Sequence, residues 1–226
     1  MLQLKTKSTS RKFYNKWLYK ISLQIEGCVI FRTVPILKIR DCLENPNEDN
    51  YYYPGWRKAK ANIEGILSLC DFLSPYDADK YGTRVERDRL DVYTNDPEFY
   101  EKLSLYSEEY LVHRFEPNTN NLDILNNSQN CITVNKLPKG KYRYRVYLLP
   151  HKMSNDREGK QKYLNWLNTQ KPKVTCTPAV EKWFLATEWN WDRRYVLVED
   201  ESTLLMMKLR GAEVVGRIYN FVVCDK

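Results

Sequence analysis

Lys141-Tyr142-Arg143-Tyr144-Arg145-Val146-Tyr147-Leu148 is the stretch whose reading decides the fold. Successive side chains of a β-strand point to opposite faces. As a strand, this run puts Lys141, Arg143, Arg145 and Tyr147 on one side and Tyr142, Tyr144, Val146 and Leu148 on the other. One face is basic and the other is apolar, so the run belongs to a sheet with a core on one side only.

A related phrase, Lys16-Trp17-Leu18-Tyr19-Lys20-Ile21-Ser22-Leu23, lies 125 positions earlier. Lys16 aligns with Lys141, Trp17 with Tyr142, Tyr19 with Tyr144 and Lys20 with Arg145. These are read as the founding strands of two related halves. The match resumes at a spacing of 104, Val92 on Val196, Asp96 on Asp200 and Leu105 on Leu209, because the first half carries the longer loop. Each half reads as strand, helices, strand, helix, strand, which is reminiscent of a ferredoxin-like split βαβ unit. The expected fold class is α+β: two diverged tandem repeats, each a small mixed sheet with helices packed on one face. The expected boundaries are a basic N-terminal arm over 1–15, a first repeat over 16–116, an Asn-rich linker over 117–130 and a second repeat over 131–226.

Local signals place the elements within this frame. Glu26-Gly27 predicts a turn into a second strand over Cys28–Val34, weakened at its end by Pro35. Residues 44–55 read as a loop with three consecutive tyrosines, Tyr51 to Tyr53. Apolar positions at helical spacing predict a helix over Trp56–Leu73, stopped by Ser74-Pro75. One strand is expected over Val85–Thr94. Asp96-Pro97 reads as an N-cap followed by a first-turn proline, opening a helix to Ser107. A strand over Tyr110–Phe115 closes the first half. The second half is expected to open on a hairpin of Cys131–Val134 with Lys141–Leu149. Ser154 or Asp156 then caps a helix to Gln170, and Thr177-Pro178 opens another through Trp183 and Phe184. A strand over Arg194–Glu199 leads to Asp200, a helix over Ser202–Arg210 stopped by Gly211, and a last strand over Arg217–Val223.

Composition narrows the function classes. The 226 residues carry 36 Lys and Arg against 29 Asp and Glu, a net charge of +7, together with 17 Tyr and 6 Trp. A basic, aromatic-rich chain suits an anionic partner whose bases stack on rings. The six cysteines, Cys28, Cys42, Cys70, Cys131, Cys176 and Cys224, all lie more than four residues apart, so no compact zinc framework is predicted. Most sit in apolar runs, which points to reduced thiols and an intracellular, cytoplasmic setting. Neither a signal peptide nor a membrane span is expected. The Asn, Lys and Tyr bias suits an AT-rich genome such as that of a virus or phage.

No catalytic, metal or cofactor motif stands out. The two histidines, His113 and His151, lack neighbouring ligand types, and no Gly-rich phosphate loop occurs. The strand-end aspartates Asp96 and Asp200 read as helix caps, with Mg²⁺ ligation as the alternative. Trp183, Trp189 and Trp191 near Phe184 read as core packing, with a ligand platform as the alternative. The basic strand faces carry the functional expectation: a non-enzymatic nucleic-acid-binding protein, single strands favoured. The candidate contacts are Lys16, Lys20, Lys141, Arg143, Arg145 and Tyr147. Two alternatives are a structural or assembly subunit binding an acidic protein partner, and a Mg-dependent enzyme acting on nucleic acid. No cofactor is expected.

Overall fold

The computed structural model describes residues 5–44, 61–153, 156–186 and 194–224. It divides into two compact units, Met1–Thr119 and Asn120–Lys226. The fold is mixed α+β, with one five-stranded mixed sheet in each unit.

The first unit runs β1 (Lys5–Thr9), β2 (Tyr19–Gln24), α1 (Ile30–Thr33), α2 (Ile36–Glu44), α3 (Ile63–Leu73), β3 (Tyr81–Glu86), β4 (Arg89–Thr94), α4 (Pro97–Tyr106) and β5 (Leu111–Pro117). The sheet order is β1-β5-β2-β4-β3, with β1 parallel to β5 and every other pair antiparallel. The second unit runs α5 (Leu122–Asn127), β6 (Cys131–Val134), β7 (Tyr144–Leu148), α6 (Arg157–Thr169), β8 (Val174–Thr175), α7 (Pro178–Leu185), β9 (Tyr195–Val198), α8 (Glu201–Arg210) and β10 (Val215–Val223). Its order, β6-β10-β7-β9-β8, is the same arrangement, again with one parallel pair, β6 with β10.

The agreement extends to single residues. Lys20 lies across from Tyr93 on one side and Phe115 on the other. Arg145 lies across from Leu197 and Tyr219. These are the positions that spacings of 125 (β2 to β7) and 104 (β4 to β9, β5 to β10) assign to one another. The irregular step is repeated too: Leu23 pairs Leu111 after a register shift, and Leu148 pairs Val215 after one. Helix α4 plus 104 is α8, end for end. The turn before the founding strand also recurs, with left-handed backbone at Tyr14 and Asn15 (φ 53° and 59°) and at Lys139 and Gly140 (φ 51° and 77°).

The helices cover one face of each sheet. In the first unit Ile21, Leu23, Leu90, Val92 and Val85 meet Ile66, Leu69 and Leu73 of α3 and Phe99, Tyr100 and Leu103 of α4. In the second, Val146, Leu148, Val196 and Val198 meet Leu164 and Leu167 of α6, Trp183 and Phe184 of α7, and Leu204 and Met207 of α8. Each fully buried aliphatic side chain contributes about 1.5–3 kcal/mol. Caps at three aspartates follow the sequence reading: Asp156 accepts from Gly159 N, Asp96 from Glu98 N and Phe99 N, and Asp200 from Thr203 N. Another cap departs from it: Asn62, expected inside a helix from Trp56, accepts from Gly65 N and starts α3 at Ile63.

Several expected elements differ. Within the arm expected over 1–15, Lys5–Thr9 is a strand, because β5 has an open edge for it. Cys28–Val34 is not a strand: both edges of β2 are taken by β4 and β5, so this segment turns at Gly27 (φ 80°) into α1. Pro35 precedes α2, with Lys38 N donating to its carbonyl. The single strand over Val85–Thr94 is a hairpin, β3 and β4, turned at Arg87 (φ 58°) and Asp88. Cys131–Val134 does not pair with the founding strand of its half, since β10 lies between β6 and β7. Lys141, Tyr142 and Arg143 precede β7, although Arg143 N still donates to Val198 O. Residues 117–130, expected as a linker, hold α5. Tyr51 to Tyr53, the first turns of the helix expected from Trp56, and Trp189 and Trp191 lie outside the described residues.

Candidate nucleic-acid interface

The sheet face away from the helices carries the residues of interest, and the two units treat it differently. In the first unit it presents Lys20 and Ser22 from β2, Asp91 and Tyr93 from β4, and His113 and Phe115 from β5. Asp91 is buried and organises the group. Ser22 Oγ donates to Asp91 Oδ1 at 2.6 Å, Tyr93 OH donates to Oδ2 at 3.2 Å, and Lys20 Nζ stands 3.2 Å from Oδ2. Arg89 Nε lies 3.4 Å from Oδ1. The Lys20 ammonium also sits 4.4 Å from the Phe115 ring centre, with Lys7 5.5 Å from the same ring. Burial foremost, with the nearby Asp91 charge, raises the Tyr93 phenol well above its ordinary range. His113 is held below the usual imidazole value, first by desolvation and then by Lys7, Lys20 and Arg89. Its Nδ1 is buried without a hydrogen-bond partner.

This first face is also covered. The turn Phe13–Trp17 folds over it. The Phe13 ring lies 5.6 Å from Tyr93 and 5.9 Å from Phe115, and Tyr14 lies edge-on to Tyr93 at 5.3 Å. Trp17 packs over Gly82, where an added Cβ would stand 3.1 Å from the indole nitrogen.

In the second unit the place of Asp91 is taken by Tyr195 and that of Ser22 by Tyr147, by the register that pairs each with its neighbour. Arg145, the counterpart of Lys20, has no carboxylate. Its guanidinium sits 4.4 Å from the Tyr195 ring centre and 5.4 Å from that of Phe221, and its Nε is buried without a hydrogen-bond acceptor. Tyr147 contacts Tyr195 at 5.6 Å and Tyr219 at 6.0 Å, both edge-on. Tyr195 is 39% exposed, whereas Tyr219 and Phe221 are buried. Arg217 Nη1 donates to Tyr219 OH at 3.2 Å. Among the described residues Arg143, Arg145 and Arg217 form no ion pair, and Arg143 is exposed. The counterpart turn, Pro138–Gly140, has no aromatic residue, but Leu137 just before it packs with Tyr147 and Leu197 against the buried cluster of Ile132, Tyr219 and Phe221.

The six expected contacts therefore separate. Arg143, Arg145 and Tyr147 fall together on the second sheet's region. Lys20 is on the face foreseen for it but is neutralised by Asp91. Lys141 lies before its strand, 2.6 Å from Glu199 Oε2 and donating to Pro172 O at 2.9 Å. Its hydrogen bond to Glu199 raises the ammonium pKa. Lys16 sits in the turn, exposed, 4.0 Å from the Trp17 ring centre. Sequence reasoning missed Tyr195, Arg217 and Tyr219. Tyr195 opens a recognised strand, and its alternation with Val196 and Val198 was the available signal.

Other reactive groups are engaged elsewhere. Asp96 and Asp200 each use Oδ1 for a cap, Asp200 Oδ2 stands 3.1 Å from Lys173 Nζ, and the Asp200 carboxyl is held below its usual value, chiefly by the Thr203 backbone N–H. Burial pushes the Cys28 and Cys70 thiols up to about 12, which keeps them protonated. Among the described residues no group of three or more His, Cys, Asp or Glu could hold a metal ion. No described helix is long and apolar enough to cross a membrane. No family model, curated protein or solved structure matches the chain.

Proposed function

We propose that this chain is a nucleic-acid-binding protein that favours single strands, and that its site is the partly exposed region of the second unit's sheet formed by Arg143, Arg145, Tyr147, Tyr195 and Arg217. The reading rests on one contrast: the position that neutralises Lys20 in the first unit is a tyrosine beside Arg145 in the second. That substitution leaves the second face with guanidinium groups and rings in alternation. Fixed cations release counterions from phosphates, and exposed rings stack on unpaired bases. Tyr147 and Tyr195 lie on the two central strands, where antiparallel four-stranded sheets stack bases. Arg143 and Arg217 flank them as phosphate contacts.

The architecture fits a diverged internal duplication. Within each sheet, the four strands other than β1 or β6 follow the order of a ferredoxin-like split βαβ unit, and the fifth strand is added in parallel at one edge. In this reading one copy keeps a binding face and the other closes it with its own side chains.

The test is fluorescence anisotropy with labelled oligothymidylate over a salt series. Binding that weakens steeply with salt, and is lost in Arg143→Glu/Arg145→Glu, is expected. Salt-independent binding, or an unaffected double variant, refutes the reading.

A second reading, a subunit of a larger protein assembly, is favoured by a separate observation. Leu105 and Leu209, at equivalent helix positions, are 74% and 72% exposed. Under that reading Leu105→Lys and Leu209→Lys abolish co-purification with a protein partner and leave oligonucleotide affinity unchanged.

A further inference from the structure

We infer that the first unit carries a second single-strand site that is masked by its own Phe13–Trp17 turn, with the Phe13 ring standing where a base would stack. This deepens the reading above and rests on it. The frame beneath the turn shares the strand register of the second unit's face, although Ser22 and Asp91 stand where Tyr147 and Tyr195 do. Phe115 corresponds to Tyr219, Lys20 to Arg145 and Tyr93 to Leu197, on strands of identical register. The aromatic and cationic elements of a stacking platform are thus present: Phe115 with ammonium groups 4.4 and 5.5 Å from its centre, and Tyr93 beside it. Around them stand the cations Lys7, Lys20, Arg84 and Arg89 and the carboxylates Asp91 and Glu86, a surplus of two positive charges. An anionic strand remains attracted to such a face.

What differs is the cover. In the second unit the turn is Pro138-Lys139-Gly140, with left-handed backbone at Lys139 and at Gly140, the residue suited to it. In the first unit the same two left-handed positions hold Tyr14 and Asn15. A tyrosine in that region is strained, and strain of this kind collects at clamps and switches. The turn buries aromatic rings against the sheet. Its backbone is closed on itself by Phe13 N to Trp17 O at 2.7 Å and Trp17 N to Phe13 O at 2.9 Å. Ties to the body include Leu18 N to Asn95 Oδ1 at 2.9 Å, Arg84 donating to the Tyr14 hydroxyl, and the buried Trp17 against Gly82. Tyr14 remains 49% exposed. The ring contacts that hold the turn down are the kind a base would replace, aromatic against aromatic, while Lys20 would exchange its contact with the Phe13 ring for one with a phosphate.

The experiment counts sites. Isothermal titration with a short oligothymidylate is expected to give one site per intact chain and two in Phe13→Ser/Tyr14→Gly, the glycine preserving the turn's backbone. Adding Arg145→Glu/Tyr195→Ala to that variant should return the count to one, now in the first unit. One site in Phe13→Ser/Tyr14→Gly overturns the masked site while leaving the second-unit reading intact. No binding by either protein overturns both. Amide exchange of the intact chain guards against a misfolded variant. Excess oligothymidylate should speed exchange at Phe13 and Trp17 after the first site is filled, and unchanged exchange there counts against the proposal.

Discussion

Asp91 and Tyr195 hold the same register position in their two sheets, and each receives the cation of the adjoining strand. Asp91 takes the Lys20 ammonium as an ion pair at 3.2 Å, whereas Tyr195 takes the Arg145 guanidinium against its ring at 4.4 Å. One change of residue type thus converts a cation held by a buried carboxylate into one held only by a ring.

The first prediction concerns stability. Asp91 satisfies Ser22, Tyr93 and Lys20, all wholly or largely buried. Asp91→Ala leaves those groups unpaired and should destabilise the protein by roughly 2–3 kcal/mol in denaturant unfolding. Tyr195→Ala removes a half-exposed ring and should cost under half of that.

Salt dependence separates the paired cations from the unpaired ones. Each phosphate contact on a single strand adds about 0.7 to the slope of log affinity against log salt. Arg143→Met should lower the slope by about that much. Lys20→Met and Lys141→Met should leave it unchanged, since Asp91 and Glu199 already hold those ammonium groups. Equal losses from all three would show that the ion pairs open on binding.

The caps predict a pH effect. The Asp200 carboxyl is held below its usual value by the Thr203 N–H, so its folded pKa lies under its unfolded one. Its contribution is complete above the unfolded value near 4 and disappears as pH falls through the folded value. Asp200→Ala should cost about 1 kcal/mol at neutral pH and little in strong acid, as read by urea unfolding across pH. The gap failing to narrow with acid would contradict this assignment.

His113 gives the same sign at higher pH. Its lowered pKa means that the unfolded chain takes up the proton more readily, so stability falls as pH drops below the ordinary imidazole value of 6.5. Burial lowers the pKa first, then Lys7 on β1, Lys20 on β2 and Arg89 on β4, while Asp91 on β4 opposes them. His113→Gln should flatten that part of the pH profile. An unchanged profile would place the acid sensitivity elsewhere.

Backbone conformation is testable at the repeated turn. Gly140 has φ 77° and open space around a prospective Cβ. Gly140→Ala should therefore cost about 1 kcal/mol through conformation alone. Its melting temperature should fall accordingly, and an unchanged one would contradict the left-handed assignment at this position.

The sequence by itself determined the pieces whose signals are local. Alternation in Tyr144-Arg145-Val146-Tyr147-Leu148 set one strand and its two faces, Asp96-Pro97 and Asp200 set two helix starts, and the spacings of 125 and 104 anticipated pairings seen in both sheets. Only the tertiary structure decided which strands adjoin. Cys131–Val134 lies beside β10 rather than beside the strand that follows it, and Cys28–Val34 is denied a strand because β2 has no free edge. Strand partners are chosen by contacts between residues far apart in the chain, and no local pattern encodes those. The same holds for the charges: Lys20 and Arg145 look alike along the chain, and the residue each meets across the sheet, Asp91 or Tyr195, separates a paired cation from an unpaired one.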